Sequence, residues 1–226
     1  MFTREMLNIV ICSLQNDYPC FVSERHLQTS FIIKAAELFK ESEFEFFPEF
    51  SPSRTDIPRE LVAEELHFDL VIRDKTGDST IIEFKYKTAE FETQINGMSI
   101  SLSNQRDTKY GKYTIWSDIE RIEKFVLSNN KNLNIRNGFV LFLTNNFTYL
   151  NPSKRIDDTS RSFSLHEDSC REKGWPERAR VQPKYRRTLH FEYKYDLQGR
   201  NRIDYSFNGS FKLLIVEIPS DNRWSK

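Results

Sequence analysis

Two short stretches, LHFDLVIRD (residues 66–74) and TIIEFKYK (residues 80–87), alternate apolar and polar side chains with a period of two, and only the turn-like KTGDS separates them. A period of two is the spacing of a β-strand, and strands joined this closely through a glycine form a hairpin. In the first strand Phe68, Leu70 and Ile72 take one face, and His67, Asp69, Val71 and Arg73 the other. In the second, Ile82, Phe84 and Tyr86 share a face opposite Ile81, Glu83, Lys85 and Lys87. Asp69, Glu83 and Lys85 therefore fall on one side of a hairpin whose other side is apolar. Cross-strand partners share a face, so Asp69 can stand opposite Glu83 only with a three-residue loop, 75–77, with Gly77 left-handed, or a five-residue loop, 74–78. A two-residue turn at Thr76-Gly77 would pair Asp69 with Phe84.

The flanking sequence builds an α/β domain around this hairpin. Thr3 caps a short helix carrying Met6, Leu7, Val10, Ile11 and Leu14, which Asp17-Tyr18-Pro19 ends. Ser23 caps a longer one over residues 24–40, with Leu27, Phe31, Ala35, Leu38 and Phe39 on one face and Glu24 and Gln28 on another. FEFFPEF (44–50) reads as a strand whose Pro48 marks an edge, and 51–65 as a loop with at most a short helical piece. Residues 88–114 read as a long polar excursion. Ser117 and Glu120 form a capping box that opens a second long helix with Ile119, Ile122 and Val126 as its stripe. GFVLFLT (138–144) is a continuous apolar run, the pattern of a strand covered on both faces. The order is α-β-β-β-α-β, a central mixed sheet flanked by helices. LHFEYKY and FKLLIVEI add C-terminal strands that extend or brace it. One domain spans residues 1–226, with a core over 23–145 and a C-terminal extension over 146–226.

Composition narrows the function classes. Lys plus Arg and Asp plus Glu both number 33, a formal charge of zero, so a polycation is excluded and any nucleic-acid contact rests on a local patch. Such a patch is the run REKGWPERARVQPKYRR (171–187), with Arg178, Arg180, Arg186 and Arg187 as candidate phosphate contacts. Aromatic residues make up 14%, too many for a disordered chain. Cys12, Cys20 and Cys170 are odd in number and form no C-x-x-C pair, which points to a reducing, cytoplasmic setting. No apolar run reaches the roughly 20 residues of a membrane helix.

Two carboxylates brought to about 4 Å repel by roughly 4 kcal/mol at an effective dielectric near 20, so Asp69 opposite Glu83 calls for a proton or a divalent cation. Oxygen-only ligation favours Mg²⁺ or Mn²⁺. Glu192-Tyr193-Lys194 and Asp107-Thr108-Lys109 repeat the acid-x-Lys pattern, but the former lacks an acid on a preceding hairpin strand and the latter lies in polar sequence. A purely structural alternative is a solvated Glu83–Lys85 pair with Asp69 across from it, Glu24 favoured by the helix dipole, Gln28 a solvated neighbour and His67 a surface histidine.

With Asp69, Glu83-x-Lys85 and this order of elements, the chain resembles the PD-(D/E)xK nuclease superfamily, of restriction-endonuclease-like fold, over residues 23–145. It is similar to poorly characterised bacterial members through SERHLQ, IEFKYKT, SDIERIE and LFLTNN. The resemblance implies a Mg²⁺- or Mn²⁺-dependent hydrolase acting on nucleic acid, with DNA ahead of RNA, in defence, restriction or repair. It implies that Asp69, Glu83, the Phe84 carbonyl and Glu24 hold the ion and that Lys85 assists the attacking water. Gln28, Gln105 and Tyr110 become candidate nucleic-acid contacts, and a homodimer is compatible with the family. Phe68 stands where the motif has its proline. The competing class is an inactive nucleic-acid or protein-binding module on the same fold.

Overall fold

The computed structural model describes the chain except residues 62–65, 96, 106–107, 129, 131, 153–162, 167–169, 172–188, 198–200, 206–208 and 220–226. The first helix, α1 (Arg4–Asp17), begins where the Thr3 hydroxyl accepts the Met6 amide, and it buries Leu7, Val10, Ile11 and Leu14. Next comes α2 (Glu24–Leu38), capped by Ser23 on the His26 amide, with Leu27, Phe31 and Ala35 buried and Leu38 left exposed. Strands β1 (Glu45–Phe50), β2 (Phe68–Arg73) and β3 (Ser79–Lys87) follow, then β4 (Phe91–Ile95) and β5 (Met98–Leu102), helix α3 (Thr108–Leu127) and β6 (Ile135–Thr144). The chain closes with the short pair β7 (Cys170–Arg171) and β8 (Tyr195–Asp196), then β9 (Arg202–Tyr205) and β10 (Phe211–Pro219).

The central sheet has six strands in the order β1-β2-β3-β6-β10-β9. Among the described residues only β3 and β6 run parallel, and α3 lies on the connection between them, the crossover a parallel pair needs. The sheet is therefore mixed, with a helix layer on each face. Leu70, Ile72, Ile82, Phe84, Phe139 and Leu141 pack with α1 and α2, whereas Val71, Ile81, Val140 and Phe142 pack with α3. Strand β6 is buried along nearly its whole length, as its unbroken apolar run requires. Gly138 allows α3 to lie close, since a Cβ there would come 2.2 Å from Ile122 Cγ2.

The hairpin register is the one that puts Asp69 level with Glu83. Arg73 pairs with Ser79 and Leu70 with Ile82. The Asp74 amide donates to the Asp78 carbonyl at 3.0 Å, closing a loop in which Gly77 has φ +87°.

Several expectations are corrected. Phe68 packs with the α3-side cluster beside Val71, not with Leu70 and Ile72. Regular alternation breaks at Asp69: neither neighbouring ladder pairs it, and Glu49, its position on β1, has φ +49°. Residues 88–114 pack only partly, but they carry regular structure, the β4–β5 hairpin and the first turns of α3. Ser117 lies inside α3 and caps nothing there, because Tyr113 and Trp116 already belong to the buried stripe that continues through Ile119 and Ile122. LHFEYKY is not a sheet strand: within it only Tyr195 is in a strand, and that strand pairs with β7. The segment is instead held against α3, where Glu120 accepts the His190 amide and Glu123 accepts the Glu192 and Tyr193 amides and the Tyr195 hydroxyl. FKLLIVEI does join the sheet, as β10 beside β6. No helix among the described residues is long and apolar enough to cross a membrane.

Candidate active site

β3 outruns β2. The ladder between them ends at Leu70–Ile82, yet β3 continues to Lys87. Backbone groups on that edge then need other partners, because an unmet buried amide costs as much as a lost hydrogen bond. Two carboxylates meet the need. Asp69 Oδ2 accepts the Phe84 amide at 2.7 Å, and Glu24 Oε2, from the first turn of α2, accepts the Tyr86 amide at 2.7 Å. The amide and carbonyl of one strand residue point to the same edge, so the Phe84 carbonyl also faces the Asp69 side. Gln28, one turn beyond Glu24, is buried, and its side-chain amide donates to the Asp69 carbonyl. It is a support for Asp69, not the solvated neighbour expected of it.

Glu83 and Lys85 point to the opposite face of the sheet from Phe84, toward α3, where they meet two residues missed in the sequence. Arg121 Nη2 lies 2.5 Å from Glu83 Oε1 and 2.9 Å from Asp118 Oδ1. Lys85 Nζ lies 3.0 Å from Asp118 Oδ2 and 3.8 Å from Glu83 Oε2. Glu83, Arg121, Asp118 and Lys85 thus close a ring of alternating charge between β3 and α3. At 3.0 Å and an effective dielectric near 20 each such contact is worth roughly 5 kcal/mol, and taking each ion out of water costs several, so the ring about breaks even as a stabilising device. Asp118 and Arg121 are three apart on a helix, a spacing that also describes countless solvated surface pairs. Only the seat of α3 on Gly138 tells that this face is turned to the sheet.

Electrostatics follow from this packing. Burial pushes the Glu83 carboxyl well above the usual carboxylate range; Arg121 and Lys85 oppose this, while the charges of Asp118 and Asp69 add to it. Burial also raises Glu24, against the pull of Lys85 and the Tyr86 amide. For Lys85 burial works against the charge, but Asp118, Glu83, Asp69 and Glu24 outweigh it and hold the ammonium charged beyond the ordinary lysine range. Glu24, Asp69, Glu83 and Asp118 thus lie among Lys85, Arg121 and, on the side of Glu24, Lys87. Asp118 Oδ2, though within ion-pair distance of Lys85, is buried and accepts no hydrogen bond. The donors are oxygen only, as Mg²⁺ or Mn²⁺ prefers, so the residues fit such an ion in donor chemistry. As they stand, no three acids among the described residues converge closely enough to share one, and Arg121 stands on Glu83.

A cleft of about 390 Å³ opens beside Glu24, with Lys87, Thr88, Ser103 and Gln105 among its walls. Gln105 thus lies next to the cluster. Tyr110 is exposed on the first turn of α3 and stacks on Tyr113. His67 is exposed and its Nδ1 lies 2.7 Å from Ser51 Oγ, a surface histidine as expected. Glu192 and Lys194 belong to the segment docked on α3. Arg178, Arg180, Arg186 and Arg187 lie outside the described residues. Comparison with known proteins gives no match to a family model, to a curated protein or to a solved structure.

Proposed function

We propose that the chain is a metal-dependent nuclease of restriction-endonuclease-like fold that hydrolyses phosphodiester bonds in nucleic acid, DNA in preference to RNA. One observation carries this reading: Glu24, Asp69, Glu83 and Lys85, supplied by α2, β2 and β3, gather around the one stretch of β3 that runs past its neighbour. Asp69, Glu83 and the Phe84 carbonyl would hold Mg²⁺ or Mn²⁺, with Glu24 beside them. When bound, such an ion polarises a phosphate oxygen and lowers the pKa of a bound water.

The chain's own residues supply the rest. Lys85 is held protonated by its acidic neighbours, so it does not accept a proton from water; it orients the nucleophile and offsets negative charge developing on the phosphate. Glu24, with Oε2 committed to the Tyr86 amide, keeps its other oxygen for a water or an ion. Gln28 fixes the backbone from which Asp69 projects. Lys87, on the wall of the adjoining cleft, offers a cation to a flanking phosphate.

An inactive binding module is favoured by one feature, the Glu83–Arg121–Asp118–Lys85 ring, which a structural network would also show. Incubating supercoiled plasmid with Mn²⁺ and the wild-type protein, Asp69→Asn or Glu83→Gln separates the two. The nuclease reading expects nicking by wild type and none by either variant. Cleavage retained in Glu83→Gln would move the site elsewhere, with Glu192 and Lys194 the next residues to mutate.

A further inference from the structure

Arg121 is seated in a way that suits release more than permanence. A guanidinium has five N–H donors and pairs best as a two-pronged fork. Here a single nitrogen, Nη2, serves both Glu83 and Asp118, while Nε is buried with no hydrogen-bond partner. The rest of the group lies over the Phe68 ring, its central carbon 5.5 Å from the ring centroid, a contact that persists through small rotations. The atom it covers, Glu83 Oε1, belongs to the most deeply buried acid of the cluster. A cation taken up by Glu83 must replace what Nη2 now supplies, and Asp118 remains as a second anchor for the displaced group.

Building on the nuclease reading, we propose that Arg121 is an exchangeable counter-charge: its guanidinium satisfies Glu83 in the ion-free protein and yields that carboxylate to a divalent cation while staying tethered to Asp118. It is a positioning residue whose presence weakens ion uptake and prevents Glu83 from being left as a bare buried charge, a state that costs far more than a paired one. Because one nitrogen does the bridging, a lysine can serve in its place, whereas a neutral side chain cannot.

The test is a calorimetric titration of Mn²⁺ into nucleic-acid-free protein at pH 8, for wild type, Arg121→Gln, Arg121→Met and Arg121→Lys. Arg121→Met guards against a folding failure of the glutamine variant, since its side chain can lie over Phe68 as the guanidinium does. The expected result is an affinity about tenfold or more tighter in the glutamine or methionine variant, and within about threefold of wild type in the lysine variant. Equal or weaker binding in a folded neutral variant overturns the proposal and makes Arg121 a purely structural residue. If wild type and every folded variant take up no Mn²⁺, the nuclease reading itself has failed and this inference falls with it. Uptake by a neutral variant alone would support both.

Discussion

On the nuclease reading, Lys85 separates ion binding from turnover at the scale of one residue. Its ammonium cannot ligate an ion while protonated, and its acidic neighbours keep it so. Lys85→Ala is therefore expected to keep Mn²⁺ binding and lose roughly 10²-fold or more in turnover, as when a contact made only in the transition state is deleted. Calorimetry beside single-turnover cleavage checks this, and loss of both properties together would make Lys85 a structural member of the ring. Glu83 and Lys85 were legible in the sequence because strand periodicity fixes which side chains share a face, and the loop geometry then fixes the register. Phe68 was not, because its orientation depends on a local break at Asp69, opposite a residue of positive φ, which alternation cannot anticipate. Asp118 and Arg121 were invisible for a different reason: a helical i, i+3 ion pair carries no sign of whether it faces water or a sheet.

Among the elements, α3 does most to assemble the site. Its close approach depends on Gly138, where an added Cβ would meet Ile122 Cγ2 at 2.2 Å and the Ile81 carbonyl at 3.2 Å. Gly138→Ala should cost about 1 to 3 kcal/mol by overpacking, measured by chemical denaturation, and less in a chain that also carries Ile122→Ala, which lacks the methyl the new Cβ would meet. No loss on Gly138→Ala would mean that α3 is not seated this closely. On its other side α3 holds the segment around residues 189–195 through Glu123, whose carboxyl is raised to about 7, chiefly by burial, against the opposing hydrogen bonds from Glu192, Tyr193 and Tyr195. A folded-state pKa above the unfolded value, about 4.3, gives a contribution fully present below that value and lost as pH rises through 7. The wild-type denaturation midpoint should therefore fall relative to that of Glu123→Gln between pH 5 and 8. Parallel curves across that window would show that Glu123 does not titrate there. The start of α3 escaped the sequence reading because Ser117 and Glu120 imitate a capping box inside a helix. The β4–β5 hairpin escaped it because its outward positions, Glu92, Gln94, Ser99 and Ser101, dilute a short apolar face.

For the whole molecule, zero formal charge means that long-range attraction to nucleic acid has to be local. Reversing Arg178, Arg180, Arg186 and Arg187 to Glu should weaken DNA binding for all sequences and flatten its salt dependence, because fewer counterions are then released. Unchanged affinity and slope would leave the cleft beside Glu24 as the principal contact. The central claim, that Asp69, Glu83, Lys85 and Glu24 act as one ion-dependent hydrolytic site, is tested most directly by Mn²⁺ uptake in the millimolar range, with and without DNA, in wild type and Glu83→Gln. Wild type is expected to take up Mn²⁺ saturably, and Glu83→Gln to lose that uptake while keeping its fold. Absence of uptake under both conditions, by wild type and by the neutral Arg121 variants alike, would contradict that claim and leave the cluster as a buried ion-pair network of a binding module.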